Sequence, residues 1–227
     1  MKLPISKRLL CCAELVPPCG TAADVGTDHG YLAIHLLRTG KCDRAIAADL
    51  REKPLESAKR NAALFGTADR MRFIQSYGLR EIERGCFEVL VLAGMGGDLI
   101  TRILEEASWL EDGDYTLILQ PQSAANELRR WLGERAWSIE REVLVRDSGF
   151  LYSVMQVRPG QGRALTPGEQ YVSPALRREG DPLYCDYLAR MRRALELTVR
   201  GIAKSTDPAD AVRAEYYKAA LEEIQML

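Results

Sequence analysis

The sequence predicts an α/β fold in which a doubly wound, mostly parallel sheet of seven strands is followed by a hairpin of two long helices. Short apolar runs that end in acidic or glycine-containing turns alternate with amphipathic segments over the first 134 residues. Two further strand-like runs are joined by the short turn Asp147-Ser148-Gly149, which is typical of an antiparallel hairpin. From Tyr184 onward, the apolar residues recur with the period of a helix.

The individual elements follow in a regular order. A first helix from Ser6 to Val16 ends at the Pro17-Pro18 pair, because proline cannot continue a helix. Proline in the first turn and Gly66 after the last turn mark the helix from Lys53 to Phe65. The predicted strands are Thr21–Val25, Ala45–Asp49, Met71–Gln75, Glu88–Ala93, Thr116–Leu119, Trp137–Val145 and Leu151–Val157. The other predicted crossover helices are Tyr31–Arg38, Asp98–Ala107 and Ala124–Glu134.

The C-terminal part is predicted to be a separate helical unit. Arg158-Pro159-Gly160-Gln161-Gly162 has the composition of a linker, so the chain divides into an α/β domain at residues 1–160 and a helical domain at residues 161–227. Apolar residues between Tyr184 and Ile202 step by 4, 3, 4, 3 and 4, and a second stripe follows the break at Ser205-Thr206-Asp207-Pro208. Two antiparallel, coiled-coil-like helices are therefore expected.

The composition excludes several classes of protein. A length of 227 residues with 47% hydrophobic content is enough for one sizeable core and a small second unit, and a net charge of −1 argues against coating nucleic acid by bulk electrostatics. The six cysteines include no Cys-x-x-Cys pair and there are two histidines, so no metal site and no disulfide framework is expected. No apolar run reaches the roughly 20 residues that span a bilayer, and we expect a reduced, soluble, cytoplasmic protein with no membrane partner.

The turn after the first strand predicts a ligand site and excludes two phosphate-binding types. The stretch Ala22-Ala23-Asp24-Val25-Gly26-Thr27-Asp28-His29-Gly30-Tyr31 combines a strand end, an acidic turn and a helix start. A dinucleotide-binding fingerprint would need glycine in place of Asp28 and glycine or alanine in place of Tyr31. A P-loop would need Gly-Lys-Ser/Thr, which the chain lacks.

Two carboxylates without a lysine suit a positively charged ligand, and S-adenosylmethionine, with its sulfonium and ammonium groups, is the candidate cofactor. Asp24 and Asp28 would complement these charges, while Gly26 and Gly30 would let the backbone close around the amino-acid end. The alternative is an ordinary strand-to-helix turn in which Asp28 caps the helix.

The ends of the second and third strands predict the nucleoside part of the same site. Asp49 ends the second strand, which lies beside the first in a doubly wound sheet, so its carboxylate can accept the two ribose hydroxyls of an adenosine. An exposed acid at a strand end is the alternative. Gly78 and Leu79 follow the third strand, where folds of this type hold the adenine ring, although Gly78 also fits a simple turn.

Two further features concern a second substrate. The turn Gly94-Met95-Gly96-Gly97 indicates either a molecule lying against the backbone or tight packing of helix on strand. Between Arg177 and Lys204, seven basic residues stand against four acidic ones, which fits a solvated helix face or a phosphate-binding surface.

With these motifs placed, the chain resembles the TrmK family of bacterial tRNA methyltransferases, which methylate ring nitrogen 1 of adenine 22 in tRNA. Five β/α steps followed by an antiparallel hairpin are also typical of the Rossmann-like, seven-stranded sheet of class I methyltransferases. The chain departs from the family pattern at Tyr77, Gln122 and Ser153, where Asp, Asn and Glu are usual. The matching segments are Ser6–Leu9, Asp24–Leu32, Ala93–Gly97 with Leu99-Ile100 and Ile103-Leu104, and Leu117–Pro121.

The resemblance implies a role for each candidate residue. Asp28 is the expected catalytic residue, placed either near the base that becomes cationic or where it holds the exocyclic amine of that base. No metal is expected, tRNA is the expected partner, and we expect a monomer. The expected cofactor-binding residues are Asp24, Gly26, His29, Gly30, Tyr31, Asp49, Gly78, Leu79, Ala93 and Gly94. The expected substrate-binding residues are Met95, Gly96, Gly97, Gln120, Pro121 and Gln122 for the base, and Lys7 and Arg8 for phosphates.

Two other functions stay open on the sequence. The same fold can methylate a different RNA base or a small molecule. The departures at Tyr77, Gln122 and Ser153 are also compatible with a non-catalytic RNA-binding protein on the same scaffold.

Overall fold

A computed structural model describes residues 2–204 and 208–227 and contains the seven-stranded sheet that the sequence predicts. Its strand order is β3-β2-β1-β4-β5-β7-β6. The first five strands are parallel, and β7 pairs antiparallel with both β5 and β6. The predicted hairpin is therefore confirmed. The strands are β1 (Cys19–Val25), β2 (Cys42–Asp49), β3 (Met71–Gln75), β4 (Val89–Gly96), β5 (Thr116–Ser123), β6 (Trp137–Asp147) and β7 (Phe150–Gln161).

Nine helices accompany the sheet within these described ranges. Two short ones, α6 and α7, were not predicted, although Thr166 and Ser173 each cap a helix that has proline in its first turn. The helices are α1 (Lys7–Leu15), α2 (Tyr31–Arg38), α3 (Glu52–Leu64), α4 (Gly97–Glu106), α5 (Ala125–Glu134), α6 (Pro167–Tyr171), α7 (Pro174–Glu179), α8 (Tyr184–Ile202) and α9 (Pro208–Gln225).

The sheet is covered on both faces, which explains why its central strands are apolar throughout. Helices α1, α2 and α3 pack on one face, around residues such as Leu32 and Leu36. Helices α4 and α5 pack on the other face, where Ile100 and Leu128 are fully buried. Because β1 to β5 are parallel, their carboxyl ends lie at the same edge of the sheet, and the predicted ligand residues at the strand ends lie there too.

The prediction of a linker at residues 158–162 is wrong for four of its five residues. Strand β7 continues to Gln161, which pairs with Trp137, so Arg158-Pro159-Gly160-Gln161 belongs to the sheet. The long strand is possible because β6 and β7 pair along nearly their whole length. The C-terminal helices pack directly on this hairpin, in a core that includes Leu144 and Leu151. The predicted break at Ser205-Thr206-Asp207 lies outside the residues described by the structure.

Candidate active site

A cavity of about 390 Å³ lies at the carboxyl ends of β1 and β4, between the sheet and the N-terminal segment. Helix α1 and the residues before it form the wall opposite the strands, through Pro4, Ser6, Arg8 and Leu9. The structure brings nine of the predicted site residues together here: Arg8, Asp24, Gly26, Asp28, His29, Tyr31, Ala93 and Gly94 line the cavity, and Gly30 lies in the same turn.

Asp24 is the buried charge of this cavity. Its side chain is almost wholly withdrawn from water, with 6% relative exposure of the residue. The pKa of Asp24 is raised to about 6, chiefly by burial. The hydrogen bond with the Thr27 side chain opposes this rise in pKa, and the charge of Asp49 adds to it. A carboxylate that is desolvated beside a second carboxylate is stabilised by any cation that enters the cavity. The carboxylate of Asp24, with that of Asp49 beside it, therefore fits a ligand with ammonium and sulfonium groups.

Asp49 ends β2, next to β1, as the sequence predicts. It is 8% exposed, and one carboxylate oxygen accepts the backbone N–H of Arg51 at 2.8 Å. This hydrogen bond fixes the side chain at the sheet edge. The position is compatible with ribose recognition, because the carboxylate adjoins Asp24 closely enough to act on its pKa.

The glycines of the first turn serve different purposes. Gly26 has φ +81°, and a β-carbon there would lie 2.3 Å from the methyl carbon of Met95, so the turn and the β4 end approach closely. Gly30 has φ +70°, and a β-carbon there would lie 2.9 Å from the β-carbon of Ala58. Gly30 is therefore required by the packing of α2 on α3.

The alternative in which Asp28 caps helix α2 is wrong. Gly30 occupies the N-cap position, and its N–H donates to the buried Thr27 hydroxyl at 3.1 Å. Asp28 lies outside the helix with 73% of its side chain exposed, 3.2 Å from Nε2 of His29. The His29 ring in turn stacks on Tyr31, with centroids 5.3 Å apart. Asp28 thus lies at the solvent side of the cavity, available to a second molecule.

The predicted adenine-binding residues lie apart from this cavity. Leu79 is 5% exposed and belongs to the core beneath α4. Gly78 has φ +57° and packs against Ile103, and its carbonyl accepts the Ser76 hydroxyl at 2.9 Å. Neither residue lines the cavity that contains Asp24. The turn that follows β3 is a tight, internally bonded structure, and the simple-turn reading of Gly78 accounts for its geometry.

Gln120 and Arg8 form an internal link in place of the contacts predicted for them. Gln120 has 0% exposure, its Oε1 accepts Nη1 of Arg8 at 2.6 Å and the N–H of Gly94 at 3.1 Å, and its Nε2 donates to the Pro121 carbonyl. Arg8 also lies 4.0 Å from the Asp147 carboxylate. The Arg8 guanidinium therefore points inward, and Gln120 holds the Gly94 backbone.

The remaining base-site candidates lie along the end of β4 and β5. A β-carbon at Gly97 would lie 2.4 Å from the Ala124 carbonyl oxygen, so helix packing explains this glycine. Gly94 and Gln122 are exposed, and Met95 and Gly96 are half-buried. Pro121 is buried beside them. Gly94, Met95 and Gln122 are thus the candidates that a base can reach.

Several basic residues of the helical tail, residues 162–227, already form ion pairs or hydrogen bonds within the protein. Arg177 lies 3.7 Å from Glu169, Arg178 donates to the Glu140 carbonyl, and Arg192 donates to the Ile224 carbonyl at 3.0 Å. One face of α8 instead presents exposed side chains at helical spacing. These are Arg190, Arg193, Leu197 and Arg200, and Lys204 is exposed just beyond the end of the helix. Lys7 is also exposed, one residue before the inward-pointing Arg8.

Sequence reasoning missed two contributors to the site. Thr27 orders the first turn from a buried position, and a signal was present because Thr27 stands three residues before Gly30, the N-cap of α2. Tyr152 lies with its ring 5.9 Å from the Arg8 guanidinium carbon. No spacing in the sequence indicates this contact, since the two residues are far apart in the chain.

The strand order and the acidic cavity at the ends of β1 and β4 define a class I methyltransferase, an enzyme class that uses S-adenosylmethionine. Residues 5–155 match the methyltransferase domain family. The tRNA (adenine(22)-N(1))-methyltransferase of Bacillus subtilis (strain 168) is 33% identical over 189 residues, covering 81% of this chain and 79% of the relative. The chain belongs to the tRNA (adenine(22)-N(1))-methyltransferase family, TrmK.

Solved structures agree along the whole chain. The crystal structure of the B. subtilis m1A22 tRNA methyltransferase TrmK has a TM-score of 0.85 with 28% identity and covers 99% of both chains. Streptococcus pneumoniae Sp1610, a putative tRNA (m1A22) methyltransferase in complex with S-adenosyl-L-methionine, has a TM-score of 0.80 with 30% identity, and the match covers 96% of this chain and 99% of that one. The likeness includes the helical tail.

The described ranges contain neither a helix that could span a membrane nor a cluster of metal-binding side chains. No helix there has the length and apolarity needed to cross a bilayer. No group of three or more His, Cys, Asp or Glu side chains there could hold a metal ion.

Proposed function

We propose that this protein transfers a methyl group from S-adenosylmethionine to ring nitrogen 1 of adenine 22 in tRNA. The observation that carries the proposal is the desolvated carboxylate of Asp24 beside Asp49 at the strand ends, in a chain of this family. The lining of the cavity contains two carboxylates and one arginine, Arg8, whose guanidinium already donates to Gln120, so the cavity favours a cationic cofactor over a phosphate-bearing one.

The chain's own residues would bind and orient the cofactor. S-adenosylmethionine, when bound, supplies an electrophilic methyl group that a neutral ring nitrogen can attack in line. We assign Asp24 to the amino-acid end and Asp49 to the ribose hydroxyls. Ala93 and Gly94 would form the wall between cofactor and base, with the Gly94 backbone held by Gln120. Because the attacking nitrogen is unprotonated, no general base is needed, and positioning supplies much of the rate.

Asp28 is assigned to the base that becomes cationic. Its carboxylate is 73% exposed here, so water screens its charge until tRNA covers the cavity mouth. Once water is excluded, a carboxylate beside the developing positive charge stabilises the transition state more than the ground state. His29, at 3.2 Å, would orient the Asp28 side chain.

Phosphate binding is assigned to the exposed face of α8 and to Lys7. The residues from Arg190 to Arg200 on this face span 10 positions, roughly 15 Å at 1.5 Å per residue, and Lys204 follows just after the helix. Local contacts of this kind suit a protein whose net charge is −1. We also propose that the enzyme acts as a monomer in the cytoplasm, where its tRNA substrate is found.

The test uses labelled S-adenosylmethionine and two tRNA transcripts that differ only in having adenine or guanine at position 22. The proposal expects transfer to the adenine transcript alone, with the label recovered as 1-methyladenine. Equal transfer to both transcripts would move the target to another base. Cofactor binding without transfer to any RNA would indicate a different acceptor, and absence of cofactor binding would indicate a non-catalytic protein.

A further inference from the structure

A second cavity lies between the end of β5 and the tail helix α8, and we call it the tail cleft. Its volume is about 230 Å³. The side chains that matter on its walls are Gln122, Asn126, Tyr152, Arg190, Met191 and Ala194. The walls of the cleft thus come from both the α/β domain and the helical tail.

The tail cleft adjoins the cofactor cavity through a thin partition. Gly94 lines the cofactor cavity, and a β-carbon on it would lie 3.7 Å from Nε2 of Gln122, which lines the tail cleft. Arg8 lines the cofactor cavity, and its guanidinium lies 5.9 Å from the ring of Tyr152, which lines the tail cleft. A polymer whose target group enters the first cavity would therefore place a neighbouring unit at the second.

The walls of the tail cleft have the chemistry that recognises a nucleobase. Gln122 and Asn126 offer carboxamides for base edges, and the half-exposed Tyr152 ring offers a stacking surface. Arg190 donates one N–H to the Leu151 carbonyl at 2.9 Å, which holds its guanidinium at the cleft rim while leaving other N–H groups for a phosphate.

The exposed face of α8 begins at this rim. Arg190 lines the cleft, Arg193 and Arg200 continue the exposed face of α8 away from it, and Lys204 follows the end of the helix. A backbone that followed these cations would be led to the cleft mouth. The Arg190 guanidinium, the Tyr152 ring and the amide groups of Gln122 and Asn126 therefore all lie on the tail-cleft side of the partition.

We propose that the tail cleft binds the base of a nucleotide adjacent to the methylated adenine. This inference rests on the proposed function, because it takes tRNA as the substrate. It makes the tail a part of target selection beyond its contribution to phosphate binding. The nucleotide would be held unstacked from the target, as a base that undergoes chemistry must leave its stack.

The test fills the cleft from the exposed wall of α8. Ala194→Trp introduces an indole into the cleft, and Ala203→Trp, nine residues further along and on the opposite side of the helix, is the matched control. We expect Ala194→Trp to raise the KM for tRNA at least fivefold while the KM for S-adenosylmethionine stays unchanged, and Ala203→Trp to resemble the wild type. Asn126→Ala is a second variant without added bulk, and we expect it to raise the KM for tRNA at least twofold.

A direct readout uses tRNA carrying 2-aminopurine at either neighbour of the target. Stacking on Tyr152 should quench its fluorescence with the wild type and not with Tyr152→Leu, which removes the ring and adds no other quenching group. Equal KM values for the two tryptophan variants, or unchanged quenching, would overturn the inference. If the wild-type protein methylates no tRNA, the proposed function itself fails, so the two failures are distinguishable.

Discussion

Arg129 and Glu142 form an ion pair that is completely inaccessible to water, with Nη2 and Oε1 2.5 Å apart and both side chains at 0% exposure. Arg129 lies on α5 and Glu142 on β6. The same guanidinium donates to the Gln170 carbonyl at 2.9 Å and lies 3.0 Å from the Tyr187 hydroxyl, both in the tail. Glu142 also accepts the Ser173 hydroxyl at 2.6 Å. The pair thus fixes the helical tail to the α/β domain.

Breaking this pair on one side should destabilise the protein strongly. Arg129→Met leaves a buried, unpaired carboxylate, and we expect a loss of about 3–5 kcal/mol in the free energy of unfolding. The double variant Arg129→Met/Glu142→Leu should recover part of that loss, because neither charge remains buried. Denaturant unfolding measures both. Arg80→Met, which removes an exposed pair with Glu106, is the control and should barely change the midpoint. A double variant as unstable as the single one would contradict this account.

Asp24→Asn should stabilise the cofactor-free protein at neutral pH while abolishing cofactor binding. Burial raises the pKa of Asp24 from its ordinary value of 3.8 to about 6, so ionising this carboxyl group costs up to about 3 kcal/mol of folding stability. The protonated form of Asp24 contributes this stability, which is fully present below pH 3.8 and is lost as the pH rises through about 6. Thermal unfolding should therefore show a higher Tm for the variant at pH 7.5, with a smaller difference at pH 5. A lower Tm at pH 7.5 would sink the prediction.

The affinity for S-adenosylmethionine should fall as pH decreases through about 6. Only the ionised Asp24 carboxylate attracts the cationic cofactor, and its pKa in the free protein is about 6 because of burial. Well below that pH, the dissociation constant should rise close to tenfold per pH unit. Calorimetric titration between pH 4.5 and 8 measures this. Asp49→Asn should bind more weakly and keep a pH dependence, whereas a pH-independent wild-type affinity would assign the cofactor's charge to another group.

Asp49→Asn should weaken cofactor binding by a factor of roughly 10 to 150, since a hydrogen bond to a charged group contributes about 1.5–3 kcal/mol. The assignment to ribose can be checked with a 2′-deoxyribose analogue of the cofactor. The variant should lose little additional affinity for the analogue, because the same contact is already missing. Fully additive losses would place Asp49 away from the ribose.

Asp28→Asn should retain cofactor affinity and lower kcat at least tenfold. The side chain lies at the exposed mouth of the cavity, so it is positioned for the second substrate more than for the cofactor. Calorimetry with S-adenosylmethionine and single-turnover methylation of tRNA separate the two effects. His29→Gln is a milder companion variant that keeps Asp28. Equal loss of binding and turnover would assign Asp28 to the cofactor.

Much of the fold was predictable because its signals are local. The bounds of α2 and β3 agree with the prediction residue for residue, since an apolar period and flanking turn residues mark both ends. Asp24 and Asp49 were found because carboxyl ends of adjacent parallel strands meet at one edge. The linker was misassigned because Pro159 and Gly160 signal a turn in sequence, whereas in the structure they form an irregularity within β7, between the pairs Arg158–Ser138 and Gln161–Trp137.

The sequence by itself determined the α/β class, the antiparallel hairpin and the acidic strand ends, because periodicity and turn chemistry act over a few residues. Tertiary structure alone decided that β7 lies between β5 and β6, that Arg8 points inward to Gln120 across 112 positions, and that Gly30 is required by Ala58. It also decided that Arg129 is buried with Glu142. Such contacts depend on how distant segments pack, and no short-range pattern specifies which side chain will meet which.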